Sequence, residues 1–234
     1  MSTWKHHDVS RLEGFSDAVF AFALTLLVVS LEVPSTFGEL MGTMRGFAPF
    51  AASFAIIAWL WYEHNVFFRR FGLRDRLTVV INAVLLFVVL FYVYPLKFVF
   101  TLVFQQTFGI RGGRPVSTRM EDSATLMTIY GVGFVVIFLC LALFYWRAWR
   151  RRDDLQLDAL ATFDARAGMM AHLLSAAVGV LSIVVALGLP PRLAWLAGPL
   201  YGLLGPVHAT HGFTSGRRRE RLERALGAPP AAGA

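Results

Sequence analysis

Long apolar runs separated by short charged connections pattern this chain from end to end. The first run, S-RLEGFSDAVFAFALTLLVVSLEV-P, extends from Ser10 to Pro34. Ser10 and Glu13 have the Ser-x-x-Glu spacing in which each side chain satisfies a backbone N–H at a helix start, and Pro34 cannot continue a helix. The pattern therefore predicts a helix from Arg11 to Val33, long enough at ~1.5 Å per residue to cross ~30 Å of hydrocarbon. Its opening is polar, with Arg11, Glu13, Ser16 and Asp17, whereas Ala18 to Leu31 carries only Thr25 and Ser30 as polar side chains. A carboxylate roughly 9 Å along the helix axis is costly against lipid, so Asp17 is expected to face protein or water. Ala18, Phe22, Leu26 and Val29 share one face by helical spacing, with Thr25 beside them.

Five further apolar stretches follow, at 47–68, 77–104, 124–149, 169–189 and 193–213. The connection PSTFGELMGTMR reads as a short polar turn. Pro95 is expected to kink the third stretch near its far end, where Lys97 can snorkel to the interface. The glycine-rich QQTFGIRGGRPVSTRMEDS is the longest non-cytoplasmic connection. RRRDDLQLDALATFDAR alternates in sign and suits a solvated or interfacial helix. Pro190-Pro191 reads as a tight turn. The pattern gives an all-α membrane protein with six transmembrane helices per chain, forming a single domain over 1–215. A basic tail over 216–234 is expected to be helical only briefly before fraying. The first-run pattern has no second copy: TFDARAG around Asp164 lacks the upstream Arg and the apolar continuation.

Composition places the chain in the membrane: of its 234 residues 56% are hydrophobic and 16% charged, and the mean hydropathy is +0.58. The net charge of +7 does not indicate nucleic acid, because the basic residues sit at the ends of apolar runs and orient a membrane protein. With the first run leaving the cytoplasm, 16 of the 22 Lys and Arg fall on the cytoplasmic side, which predicts both termini there. No cleavable signal peptide is expected, since the first apolar run has no small-residue cleavage site and is itself long enough to span. Cys140 lies in an apolar run and can form no disulfide within the chain.

No nucleophile elbow, phosphate loop or metalloprotease helix is present, so an enzyme is not expected and no cofactor is implied. Thr128-Ile-Tyr-Gly131-Val-Gly133 lies inside a continuous span and reads as close helix packing rather than a carbonyl-lined filter. His208-x-x-His211 has helical ligand spacing without a third ligand, and reads as an interfacial pair. Asp153, Asp154, Asp158 and Asp164 alternate with Arg and are expected on a solvated face.

Arg11-x-x-x-Phe15-Ser16-Asp17, followed by AVFAFALTLL, resembles the signature of the transmembrane protein 175 family, the endo-lysosomal potassium channels and their bacterial relatives. Trp61-x-x-His64, Asn82-x-x-Leu85 and Pro95 are similar to the family's pattern as well. The match covers about the first hundred residues, and the later spans agree in number and placement only. The resemblance implies a potassium-permeable channel of the bacterial inner membrane, a homotetramer in the lipid bilayer with the first helices of its subunits lining the pore. It maps the family's constriction rings onto Phe22, Leu26 and Val29. Phe22 departs from the family, whose members usually carry isoleucine or leucine there.

An apolar constriction offers no ligands to replace an ion's water, so it gates by dewetting and passes potassium more easily than the more tightly hydrated sodium. Thr25 either contacts a partly hydrated ion or bonds back to the preceding turn. Arg11, Phe15, Ser16, Asp17, Trp61, His64 and Asn82 are expected to brace the helices, through a hydrogen-bond network where they are polar, rather than to touch the ion. The rival reading is a proton-coupled carrier that uses Asp17 and His64 as a relay.

Overall fold

The computed structural model describes residues 11–30, 33–110, 119 and 122–227. The expected Ser10 cap, Leu31 and Glu32, the loop over 111–118 and the last seven residues lie outside the described residues, and the first helix ends at Val29 rather than at the expected Val33. Among the described residues seven α-helices follow in order: α1 (Arg11–Val29), α2 (Phe37–Arg45), α3 (Phe47–Phe71), α4 (Arg76–Phe108), α5 (Ser123–Arg150), α6 (Ala159–Gly188) and α7 (Leu204–Ala225). Two 3₁₀ segments, Pro191–Ala197 and Pro199–Leu203, lead from α6 to α7. Of these helices α1, α4, α5 and α6 are each long and apolar enough to cross a membrane, and α2 with α3, bent by 46° at their junction, form a fifth candidate.

The polar stretch before α3 is helical rather than a turn. Thr36 Oγ1 accepts the N–H of Glu39 at 3.2 Å, and Glu39 reaches back to the N–H and hydroxyl of Ser35, both at 2.8 Å. These reciprocal caps satisfy N–H groups that a helix start leaves open. Helix α4 continues through Pro95 to Phe108 and is closed by Gly109 at φ +65°. The mixed-charge segment divides in two. A turn over 151–156 reverses the chain, and the rest becomes the first turns of α6, capped where Asp158 accepts the N–H of Ala161 at 2.6 Å.

The expected last span is not one α-helix. Its first half is 3₁₀, because Pro199, following Gly198, cannot donate to an α-helical ladder. The run still travels the length of α6 in the antiparallel sense. Ser182 Oγ donates to the carbonyl of Ala197 at 3.0 Å, Ser175 Oγ and His208 Nε2 are 2.7 Å apart, and Arg219 Nε donates to Asp164 at 3.2 Å. Helix α7 persists to Ala225, well past the expected tail boundary, supported by Arg219–Glu223 and Arg224–Glu220 pairs one turn apart.

Helices α1, α3 and α4 pack as one group and α5, α6 and α7 as another, joined along α4 and α5. Glycines set the close approaches in the second group. A Cβ at Gly168 would lie 2.4 Å from the Tyr145 ring, one at Gly133 2.5 Å from Tyr92, and one at Gly179 2.9 Å from Phe134. Gly131 and Gly133 thus serve packing inside α5, and Cys140 is buried among apolar neighbours.

One end of the bundle is tied by ion pairs. Arg74 faces Glu13 at 3.9 Å, Arg147 donates to Asp75 at 2.5 Å, and Asp164 receives both Arg70 and Arg219. Asp164 is 12% exposed and bridges α3 to α7, so it does not belong to a solvated face. Burial raises the Asp75 carboxyl's hold on its proton, but the Thr78 hydroxyl and the guanidinium groups of Arg147 and Arg151 outweigh it and hold the pKa below the ordinary value. A depressed folded-state pKa stabilises the fold above the unfolded value of ~3.9, and that contribution is lost as pH falls through the folded value. Melting temperature in detergent is therefore expected to stay level from pH 7 to pH 5 as far as Asp75 is concerned and to fall below about pH 4, with a shallower fall in Asp75→Asn.

Candidate functional site

The two faces of α1 differ sharply. Ser16, Phe20, Ala23 and Leu27, spaced by three and four, are buried against α3 and α4. On the other side Phe15, Phe22 and Val29 are 60%, 55% and 71% exposed, Ala18 and Thr25 are exposed with them, and Leu26 is half-buried between the two faces. Only 22% of the most apolar stretch of α1 is buried within the chain, against 44%, 50% and 39% for α4, α5 and α6. Thr25 Oγ1 donates to the carbonyl of Ala21 at 2.9 Å, which leaves the oxygen's lone pairs on the open face.

Behind that face runs a buried chain of hydrogen bonds. Asn82 Nδ2 donates to Ser16 Oγ at 2.9 Å, and Ser16 in turn donates to the carbonyl of Leu12 at 2.8 Å. With the Asn82 amide nitrogen so engaged, its Oδ1 accepts from His64 Nε2 at 2.8 Å, which sets the imidazole proton on Nε2. The His64 ring lies among Phe20, Phe68 and Phe144, with centroids at 5.6, 4.5 and 6.1 Å. Three helices are joined by polar atoms that lipid never meets.

Asp17 stands apart from this chain, accepting the indole N–H of Trp61 at 2.8 Å. The seven residues read from the sequence as one bracing group therefore separate: Ser16, His64 and Asn82 form the buried chain, Asp17 and Trp61 a second contact, and Arg11 and Phe15 are exposed and join neither. Among the described residues no hydrogen bond connects Asp17 to His64.

Three further polar contacts carry no signal in side-chain spacing. Lys97 Nζ donates to the carbonyl of Ser30 at 3.0 Å and to its hydroxyl at 2.6 Å, placing a cation on the last turn of α1, where the helix dipole favours it. Lys97 is thus tied to the end of α1. Glu63 and His172 face each other at 3.8 Å across α3 and α6. His208 pairs with Ser175 rather than with His211, and no group of metal-binding side chains occurs among the described residues.

The family profile described as endosomal/lysosomal potassium channel TMEM175 matches residues 11–92, which include α1 and the whole buried hydrogen-bond chain. A potassium channel from Marivirga tractuosa is 39% identical over 222 residues, covering 91% of this chain and 90% of that protein. A potassium channel from Streptomyces collinus is 33% identical over 89 residues, 36% of this chain and 43% of its own length. Among solved structures, a crystal structure of a variant of the potassium channel MtTMEM175 with a nanobody–MBP fusion superimposes with a TM-score of 0.79 at 37% identity, over 92% of this chain and 97% of that one. This chain, an all-helical membrane protein and not an enzyme, belongs to the TMEM175 family of potassium channels.

Proposed function

We propose that four copies of this chain assemble around a potassium pathway lined by their α1 helices, with Phe22 at the narrowest ring and Leu26 and Val29 forming further rings. The observation that carries this reading is the unpartnered face of α1: of the four single helices able to cross a membrane, it buries the smallest share of its most apolar stretch within its own chain, although it is fastened to α3 and α4 by three buried polar side chains. A helix held this firmly and covered this little is suited to a shared axis. The run over 193–213 makes the sixth crossing in this reading, with both termini on the Arg-rich, cytoplasmic side of a bacterial inner membrane.

Phe22 supplies an apolar barrier that a hydrated cation crosses by shedding part of its shell, and potassium sheds water at lower cost than sodium. Thr25, one turn on, presents an oxygen already oriented by its bond to Ala21, and meets the ion there. Ser16, His64 and Asn82 hold the rotation of α1, and Asp17 with Trp61 holds its entrance. No cofactor takes part; potassium is the permeant ion. The separation of Asp17 from His64 disfavours a proton relay through that pair.

Flux into liposomes tests the proposal against the carrier. A channel moves potassium down its own gradient at any fixed pH, with protons moving as the counter-charge only when a protonophore is added. Strict dependence of potassium movement on an opposing proton gradient would establish the carrier instead.

A further inference from the structure

A cavity of about 350 Å³ lies between the two helix groups. Its walls come from the middle of the long helices: Leu60 on α3, Tyr92 on α4, Phe134 and Phe138 on α5, and Ser175 on α6. These positions fall near the halfway point of each helix, which is the level of the bilayer's centre. The volume is about twice the ~150 Å³ of an apolar cavity that admits benzene and stays dry.

The polar atoms around the cavity are withdrawn. Ser175 Oγ and His208 Nε2 are 2.7 Å apart and satisfy each other, and the hydroxyls of Tyr92 and Tyr201 are buried without a hydrogen-bond partner among the described residues. A guest therefore meets hydrocarbon and ring faces. The walls are built to stay back. The Tyr92 and Phe134 rings sit where a Cβ on Gly133 or Gly179 would fall 2.5 or 2.9 Å from them, so both rings occupy notches in α5 and α6 instead of filling the space. The cavity also has a side entrance. Helices α3 and α7 flank it without packing on each other, and the wall residues Ile56 and Trp59 on α3, and Leu204 and His208 on α7, keep exposed surface, Trp59 39% of it.

We infer that this cavity is a lateral lipid site that takes the middle of an acyl chain, entering between α3 and α7. An empty apolar space of this size forfeits the dispersion contacts of its lining, and at mid-membrane depth the surrounding medium itself consists of acyl chains. The inference rests on α3 to α6 crossing the bilayer; it needs neither the pore assignment nor ion flux.

The test is photolabelling in proteoliposomes of phosphatidylcholine carrying a mid-chain diazirine, followed by peptide mass spectrometry. Phe138, 2% exposed, and Ile137, 1% exposed, are closed to lipid except through the cavity. The inference expects adducts on the peptide bearing Ile137 and Phe138, reduced at least fivefold by Leu204→Trp at the mouth. Labelling at Val184, 60% exposed on α6, should stay unchanged, and so should the gel-filtration profile. Adducts confined to outward residues such as Val184 would overturn the inference. So would α3–α7 cross-links between copies that exclude label from the cavity, because a second copy would then be the occupant. Labelling of the cavity in a preparation without potassium flux would leave the lipid site standing and the channel proposal failed.

Discussion

Phe22→Ala is expected to raise potassium flux through reconstituted protein by about tenfold, the consequence of lowering the barrier at the narrowest ring by about 1.4 kcal/mol. The phenyl ring is bulkier than Leu26 and Val29, the other proposed ring residues, and replacing it with a methyl group widens the path and admits water where the ion would otherwise lose it. The preference for potassium over sodium should narrow in the same variant, because discrimination that arises from dehydration weakens when dehydration is no longer required. Phe22→Leu should fall between the two proteins, being apolar but smaller. Stability should hardly change, since Phe22 is 55% exposed in the chain. Unaltered flux in Phe22→Ala, with assembly intact, would remove Phe22 from the pathway.

Asn82→Leu is expected to lower stability by on the order of 3 kcal/mol, read as a fall in melting temperature in detergent. Asn82 is 1% exposed and serves as both acceptor for His64 and donor to Ser16, so its loss strands the imidazole N–H among Phe20, Phe68 and Phe144. An orphaned buried donor costs more than the net value of the bond it made. His64→Leu combined with Asn82→Leu should therefore cost clearly less than the sum of the two single changes, because both ends of the bond vanish together. Ser16→Ala should cost on the order of 2 kcal/mol, because it leaves one Asn82 amide N–H buried without its acceptor while the bond to His64 survives. Strict additivity of the two leucine substitutions would show that His64 and Asn82 do not act through each other.

The polar entrance of α1 was legible because Ser16 and Asp17 interrupt an otherwise apolar helix, as His64 and Asn82 interrupt theirs, and such residues need partners. Their division into separate contacts was not legible, since it depends on which way each side chain turns at the helix crossing. Helix α2 carries the Thr-x-x-Glu spacing of a helix start at Thr36 and Glu39, but it was hidden because only nine residues, two of them glycine, follow the cap and they form no apolar run. The 3₁₀ passage before α7 was hidden by hydrophobicity that looks like a span, while the backbone obeys Pro199. The contact of Lys97 with the end of α1 could not be read at all, because its partner is a carbonyl and every residue has one. Helical spacing grouped Phe22 and Val29 on one face. What covers that face lies outside the chain, where spacing within one chain is silent.

The fastening of α1 to α4 at two places limits how any pathway beside it could change width. Ser16 meets Asn82 near the start of both helices, and Ser30 meets Lys97 about two-thirds of the way along α4, so the two rods run side by side and are riveted at both ends of α1. Neither can slide or roll alone without breaking a rivet. Opening by rotation of a single rod is mechanically disfavoured, and widening is left to the paired rods leaning together as one lever.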